Sequence, residues 1–326
     1  QARMRGTIKA FPGERVRFVG ADSAFDSLIV LTDCPDNSGT YWRVDIPTGK
    51  AVDIGYRYAA IKGADVAPVA MIDYVAADGL ALHGVLTLPR GRAAGKLPLV
   101  VLPHGGPAAR DHAEFDWWAQ ALASRGYAVF QPNFRGSTGY GPAFQIAGNG
   151  QWGTKMQTDI SDGVAALAAR GIIDPKRACI MGASYGGYAA LAGVTLQQGL
   201  YRCAVSVAGV ADLQLMKADE LGVGPTRVQA RNWATLIGAR TDLAAISPAM
   251  AAARADAPVL LIHGRDDTVV PYAQSTRMAG QLRAAGKPVE LVTLKGEDHW
   301  LSRGATREAM LVAAVAFIEK HNPPGN

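Results

Sequence analysis

Ala178-Cys179-Ile180-Met181-Gly182-Ala183-Ser184-Tyr185-Gly186-Gly187-Tyr188 decides the fold. Ala178–Met181 is a short apolar run of the kind that fills a buried strand. Tyr188–Gln198 has the composition of a helix. Between them lies a G-x-S-x-G, Gly182 to Gly186, and strand, sharp turn and helix in that order form a nucleophile elbow. The glycines permit close approach of strand and helix. The Ser184 hydroxyl then stands at the carboxyl end of a sheet, near a helix N-terminus that favours negative charge. No Gly-Lys-Ser/Thr follows, so a phosphate loop does not fit.

The surrounding texture agrees with a sheet of that kind. From about residue 68, apolar β runs alternate with amphipathic helices. Met71–Ala76 and Ala81–Leu88 straddle Asp78-Gly79 as a hairpin. Strands follow at Leu97–Leu102, Tyr127–Gln131, Ala204–Ala208, Val259–Ile262 and Val289–Thr293. Helices are expected at Phe115–Arg125, Thr158–Arg170, Ala273–Ala285 and Ala305–Lys320. Continuous Val/Ile/Leu strands between helices imply a doubly wound, mostly parallel sheet covered on both faces, an α/β class protein. Residues 210–256 break the alternation and read as an inserted cap or lid.

Residues 15–55 differ. Val16–Val19, Leu28–Thr32, Tyr41–Ile46 and Ala51–Ile54 are short strands, punctuated by turn residues at 33–39 and 47–50. They make one small antiparallel β segment that wants neighbours to cover its faces. The domain expectation is therefore a β-rich segment at 1–62 followed by an α/β domain at 63–326.

Composition excludes several classes. The 326 residues are 49% hydrophobic and 19% charged, enough apolar material for a large core. A net charge of +5 with no basic run argues against nucleic acid. No apolar stretch reaches the roughly 20 residues of a membrane helix. Cys34, Cys179 and Cys203 make neither a disulfide framework nor a metal knuckle; the expectation is buried thiols, with a Cys179–Cys203 disulfide as the lesser reading. No metal or cofactor is called for. The compartment expected is cytoplasmic, with the periplasm and secretion left open.

A hydroxyl is a weak nucleophile until a base takes its proton. Among six histidines, His299 in Lys295-Gly296-Glu297-Asp298-His299-Trp300 follows a strand end and can reach the rim where Ser184 stands. His263 ends a strand but, beside Gly264, reads as a structural corner. The imidazole needs an acceptor to fix its tautomer. Asp266 and Asp267 both lie just past a strand, and composition does not choose between them. The order Ser, Asp, His is that of α/β-hydrolases. For the oxyanion, Tyr185 offers its backbone N–H, and Pro103-His104-Gly105-Gly106-Pro107 is a loop suited to supply a second.

Taken together, His104-Gly105-Gly106-Pro107, Asn133-Phe134-Arg135-Gly136-Ser137-Thr138-Gly139-Tyr140-Gly141, Gly182-Ala183-Ser184-Tyr185-Gly186-Gly187-Tyr188, Asp267 with Val270-Pro271, and Glu297-Asp298-His299 resemble the catalytic α/β-hydrolase domain of the prolyl oligopeptidase family of serine peptidases. The branch is that of acylaminoacyl peptidases and dipeptidyl-peptidase-like enzymes. The resemblance selects Asp267 over Asp266 and the backbone of Gly106 as second oxyanion donor. It implies a serine peptidase acting on short peptides through Ser184, Asp267 and His299, with a carboxylesterase or a non-catalytic binding module as the alternatives. It also implies an N-terminal β-propeller, of which the β-rich segment resembles one blade. Trp152, Trp233, Val270 and Arg135 are the expected substrate contacts, with core packing for the two tryptophans and holding of its own loop for Arg135 as the alternatives. Partners expected are a short peptide or small ester; a homo-oligomer stays open.

Overall fold

The computed structural model describes residues 2–34, 37–93, 95–222 and 226–325. Pro35 and Asp36 of the expected turn, and residues 223–225 of the expected cap, lie outside the described residues. The chain divides into two compact units: Gln1–Met71, Val85–Ala93 and His112–Ala128 form the smaller, and Ile72–Gly84, Ala94–Asp111 and Val129–Asn326 the larger.

In the smaller unit a helix, α1 (Ala2–Ala10), precedes four strands, β1 (Arg15–Ala21), β2 (Ser27–Asp33), β3 (Thr40–Asp45) and β4 (Lys50–Tyr56). They pair in sequence order as an antiparallel meander. The β3–β4 turn closes where Asp45 Oδ1 accepts from the Thr48 N–H at 2.9 Å and Gly49 takes a φ of 68°. One face buries Leu28, Val30 and Val44 against Phe11, with Met4 and Trp42 packed on them. The division of the chain differs from the expected boundary at 62/63. Val66 and Phe115 pack on Cys34, joined by Tyr58, Val69 and Trp117. Gln120, on α2 (Trp117–Ser124), donates to Ala67 O and accepts from Ala67 N. This apolar cluster ties segments from beyond residue 62 to the first sheet.

The second sheet has eight strands, β5 (Val69–Val75), β6 (Ala81–Thr87), β7 (Leu97–Val101), β8 (Ala128–Asn133), β9 (Ile173–Ala183), β10 (Ala204–Val207), β11 (Val259–Gly264) and β12 (Val289–Leu294). Their order is β12-β11-β10-β9-β7-β8-β6-β5, and β12, β11, β10, β9 and β7 run parallel. β7, β8, β10 and β11 are buried along their length, as their unbroken apolar runs require. The larger unit carries the helices α3 (Pro142–Ile146), α4 (Lys155–Ala169), α5 (Tyr185–Thr195), α6 (Leu213–Leu221), α7 (Arg227–Trp233), α8 (Ala273–Ala284) and α9 (Gly304–His321). This is the α/β-hydrolase arrangement expected from the sequence.

Three local differences have physical causes. α1 and the five-residue α3 were not anticipated; each is short and weakly periodic. α5 starts at Tyr185 rather than Tyr188, so the helix begins immediately after Ser184. Cys179 and Cys203 form a disulfide rather than two buried thiols, because β9 and the approach to β10 bring their Cα atoms to 4.8 Å.

Packing of α4 on the sheet depends on Gly163. A Cβ there would overlap the Phe130 ring and lie 3.2 Å from Tyr74. Gly163→Val is therefore expected to destabilise the larger unit by about 1–3 kcal/mol despite valine's better helix propensity. Urea denaturation checks this; an unchanged midpoint would show that the ring has room to move.

Candidate active site

The strand registers place the site. Ala183 of β9 pairs with Val207 of β10, Val207 with Ile262 of β11, and Ile262 with Val292 of β12. The carboxyl ends of these four strands are thus level. Ser184 follows β9 directly, while Asp267 and His299 stand in the turns after β11 and β12.

Ser184 has φ 57° and ψ −119°, a strained conformation for a residue with a Cβ. The strain is held by close packing. Any Cβ on Gly182 would meet the Gly186 backbone at 2.5 Å, and one on Gly187 would meet Gly209 Cα at 2.7 Å. Ser184 N donates to Val207 O at 3.0 Å, which anchors the elbow to β10. The Ser184 hydroxyl has no hydrogen-bond partner among the described residues.

Asp267 is buried and Asp266 exposed, which separates the two carboxylates the sequence left level. Asp267 Oδ1 accepts from the Val269 and Val270 N–H groups, each at 2.8 Å. Its Oδ2 lies 2.7 Å from His299 Nδ1 and 3.3 Å from His263 Nε2. Burial raises the carboxyl's pKa, but the hydrogen bonds from His263, His299, Val270 and Val269 outweigh it and hold the group well below the usual carboxylate range. With Oδ2 as acceptor, His299 Nδ1 carries the proton and Nε2 is left bare.

Sequence reasoning underestimated two supports. His263 is fully buried, with Nε2 2.8 Å from Val270 O and Nδ1 2.7 Å from Ser275 Oγ. It braces the turn that carries Asp267. Glu297 is also buried, and its carboxylate accepts from the N–H groups of Asp298, Ser302 and Arg303 and from the Thr306 hydroxyl. It fixes the loop that carries His299. Glu297 belonged to a quoted motif, but only burial shows that its carboxylate faces inward.

The Gly105 and Gly106 loop lies against the elbow: a Cβ on Gly105 would sit 3.4 Å from Ser184 Cβ. Gly106, at φ 116°, and Tyr185, the first residue of α5, have backbone N–H groups without a partner among the described residues. His104 is not free to act as a base. Its Nε2 is 2.9 Å from Ser137 Oγ, its ring stacks on Phe134, and burial lowers its pKa to about 4.

A pocket of about 130 Å³ opens at Ser184, lined by Gly106, Tyr185, Trp152, Trp233 and Val270 among others. Three expected substrate contacts, Trp152, Trp233 and Val270, are therefore brought together. Arg135 is not among the lining residues. It is 5% exposed, donating from Nε and Nη2 to Asp159 at 2.8 and 2.7 Å and from Nη1 and Nη2 to Asp78 at 2.9 Å each. Of its two expected roles, the contacts match the holding of its loop rather than substrate binding: two carboxylates occupy its guanidinium and join the loop after β8 to α4 and the β5–β6 hairpin.

A family model described as the prolyl oligopeptidase family matches residues 113–323. The chain is 33% identical over 298 residues to dipeptidyl aminopeptidase BIII of Pseudoxanthomonas mexicana, covering 85% of this chain and 42% of that protein. It is 36% identical over 212 residues to dipeptidyl peptidase family member 6 of Caenorhabditis elegans, covering 62% of this chain and 28% of that one. A puromycin-hydrolyzing peptidase of Mycobacterium tuberculosis superposes with a TM-score of 0.82 at 30% identity, over 91% of this chain and 46% of that chain. The chain thus spans less than half the length of each of these relatives.

Arg135 gives a clear test of position against substrate binding. Burial pushes the Asp159 carboxyl up, and the hydrogen bonds of Arg135 oppose that. Arg135→Met would strand Asp159 as a buried, unpaired group and is expected to cost about 3–5 kcal/mol of stability. Chemical denaturation reads this; a raised KM at unchanged stability would instead return Arg135 to the substrate.

Proposed function

Because the chain belongs to the prolyl oligopeptidase family, we propose that it is a serine peptidase that cleaves short peptides by acyl transfer through Ser184, His299 and Asp267. The single observation that carries this reading is the Asp267 Oδ2–His299 Nδ1 contact at 2.7 Å, on the rim where the Ser184 elbow and its pocket lie.

His299 Nε2 takes the Ser184 proton as Oγ attacks the peptide carbonyl. Ser184 Oγ has no hydrogen-bond partner among the described residues, and its hydrogen bond to His299 closes as substrate docks. The tetrahedral oxyanion is held by the Gly106 and Tyr185 N–H groups, whose lack of partners among the described residues fits that role. His299 passes the proton to the leaving amine, which departs as the acyl-enzyme forms. Water, deprotonated by His299, attacks the ester, and Ser184 regains its hydrogen. Asp267 stabilises the imidazolium throughout and stays ionised. Its depressed pKa means that this stabilisation is present above the ordinary carboxylate range and is lost only as pH falls through the lower folded-state value.

The Cys179–Cys203 disulfide favours an oxidising compartment over the cytoplasm expected from the sequence. In protein isolated from its native cells and denatured without reductant, Cys34 is expected to be alkylated while Cys179 and Cys203 are not. Three alkylated cysteines would contradict this.

Ser184→Ala is expected to leave the circular dichroism spectrum and urea midpoint unchanged while lowering kcat by roughly 10⁴–10⁶. An aminoacyl p-nitroanilide and a p-nitrophenyl ester, assayed side by side, check it. Turnover like that of the unaltered chain in this variant would refute the assignment, and ester cleavage without amide cleavage would restrict the activity to esters.

A further inference from the structure

A second cavity adjoins the pocket at Ser184. It measures about 480 Å³ and is lined by α3, by α7 and by the π-helical turn Ala234–Gly238 that follows α7. Its apolar walls are Pro142, Ile146 and Leu236, of which Ile146 is 63% and Leu236 40% exposed. Gln145, Asn149 and Asn232 form its polar edge, and none of these three carboxamides has a hydrogen bond among the described residues. No ionisable side chain lines it among the described residues. The walls are fastened through backbone: Leu236 O accepts from the Gly150 N–H at 2.9 Å, and Ile146 O from the Asn149 N–H at 3.0 Å. The space between them is therefore left open by the fold itself. Leu236 also lines the pocket at Ser184, so one side chain is the wall between the two cavities. The pocket at Ser184 holds about 130 Å³, room for one side chain near the size of benzene. The rest of a bound peptide must lie outside it. Successive residues advance by about 3.8 Å, so a peptide passes Leu236 within about two of them.

We infer that this groove is a second substrate subsite, which takes an uncharged, aliphatic residue of the peptide lying about two positions from the residue held in the pocket at Ser184. The chemistry of the lining selects that class. Ile146 and Leu236 give an aliphatic side chain apolar surface to cover, which removes both from water. Each carboxamide carries both a donor and an acceptor, the pair needed to meet a peptide's own C=O and N–H groups. A charged side chain would lose water there without gaining a counter-ion. This inference rests on the peptide-cleavage reading for the nature of its ligand, but binding tests it without turnover.

The Ser184→Ala variant, with and without Ile146→Asn, is titrated by calorimetry with capped pentapeptides. One is five alanines; the others carry leucine, or aspartate, at the first or at the last position. One of the two leucine peptides is expected to bind roughly five- to ten-fold tighter than the alanine peptide. The end at which leucine helps shows on which side of the cleaved bond the groove lies. Aspartate at that end is expected to bind no better than alanine. Ile146→Asn, at an exposed position, is expected to keep the urea midpoint and abolish the advantage of leucine. An advantage that survives Ile146→Asn would place the leucine in the pocket at Ser184 and overturn the inference. Equal binding of the leucine and alanine peptides, or aspartate binding as well as leucine, would overturn it too. An Ile146-dependent advantage in a chain that hydrolyses neither amides nor esters would uphold the subsite and remove the acyl-transfer reading instead.

Discussion

The buried carboxylate of Asp267 is the constraint on which the rest of the site depends. An ionised acid removed from water is costly unless every lone pair finds a donor. Here two backbone N–H groups fill Oδ1, and two imidazoles converge on Oδ2. The arrangement is reciprocal. The histidines keep the acid charged, and the acid fixes which nitrogen of His299 holds the proton. Replacing either side would leave the other as an unpaired polar group in a low-dielectric position, so the turn after β11 has little freedom to rearrange.

Parallel strands convert that local order into a site. Because β9, β10, β11 and β12 end at the same level, turns far apart in the chain open on one rim. Close packing then sets the aim of Ser184. Backbone from Gly186, Gly187 and Gly209 occupies the space that side chains would need, and the positive φ of Ser184 is held by that crowding and by the Val207 carbonyl. Glu297 plays for the His299 loop the part that backbone plays for the elbow, collecting four donors in a buried position.

Much of this was legible before any coordinates. The elbow showed because a glycine pattern between a β run and a helix has few other uses. The alternation of β runs and amphipathic helices pointed to a parallel sheet, and the β-rich start read as one small antiparallel sheet, whose strands pair in chain order. The choice of Asp267 needed a family resemblance, because two adjacent acids in a turn differ only in burial, which is a tertiary property. Arg135 stayed open between substrate contact and loop support for a related reason: an arginine in a glycine-rich loop after a strand resembles a ligand contact until Asp159 and Asp78, distant in sequence, are seen to enclose it. His263 and Glu297 act by holding turns, which only their burial and hydrogen bonds reveal. α1 lay in a polar, weakly patterned stretch and gave no periodic signal.

The central claim is that Asp267 acts through His299 on Ser184. Its most direct measurement is the rate at which a fluorophosphonate modifies the protein, with the modified residue mapped by mass spectrometry, in the unaltered chain and in Asp267→Asn. The account expects the phosphonyl group on Ser184 and a rate at least roughly a hundred-fold slower in the variant, because the asparagine favours the wrong imidazole tautomer. Modification at another residue, or equal rates in the two proteins, would contradict it.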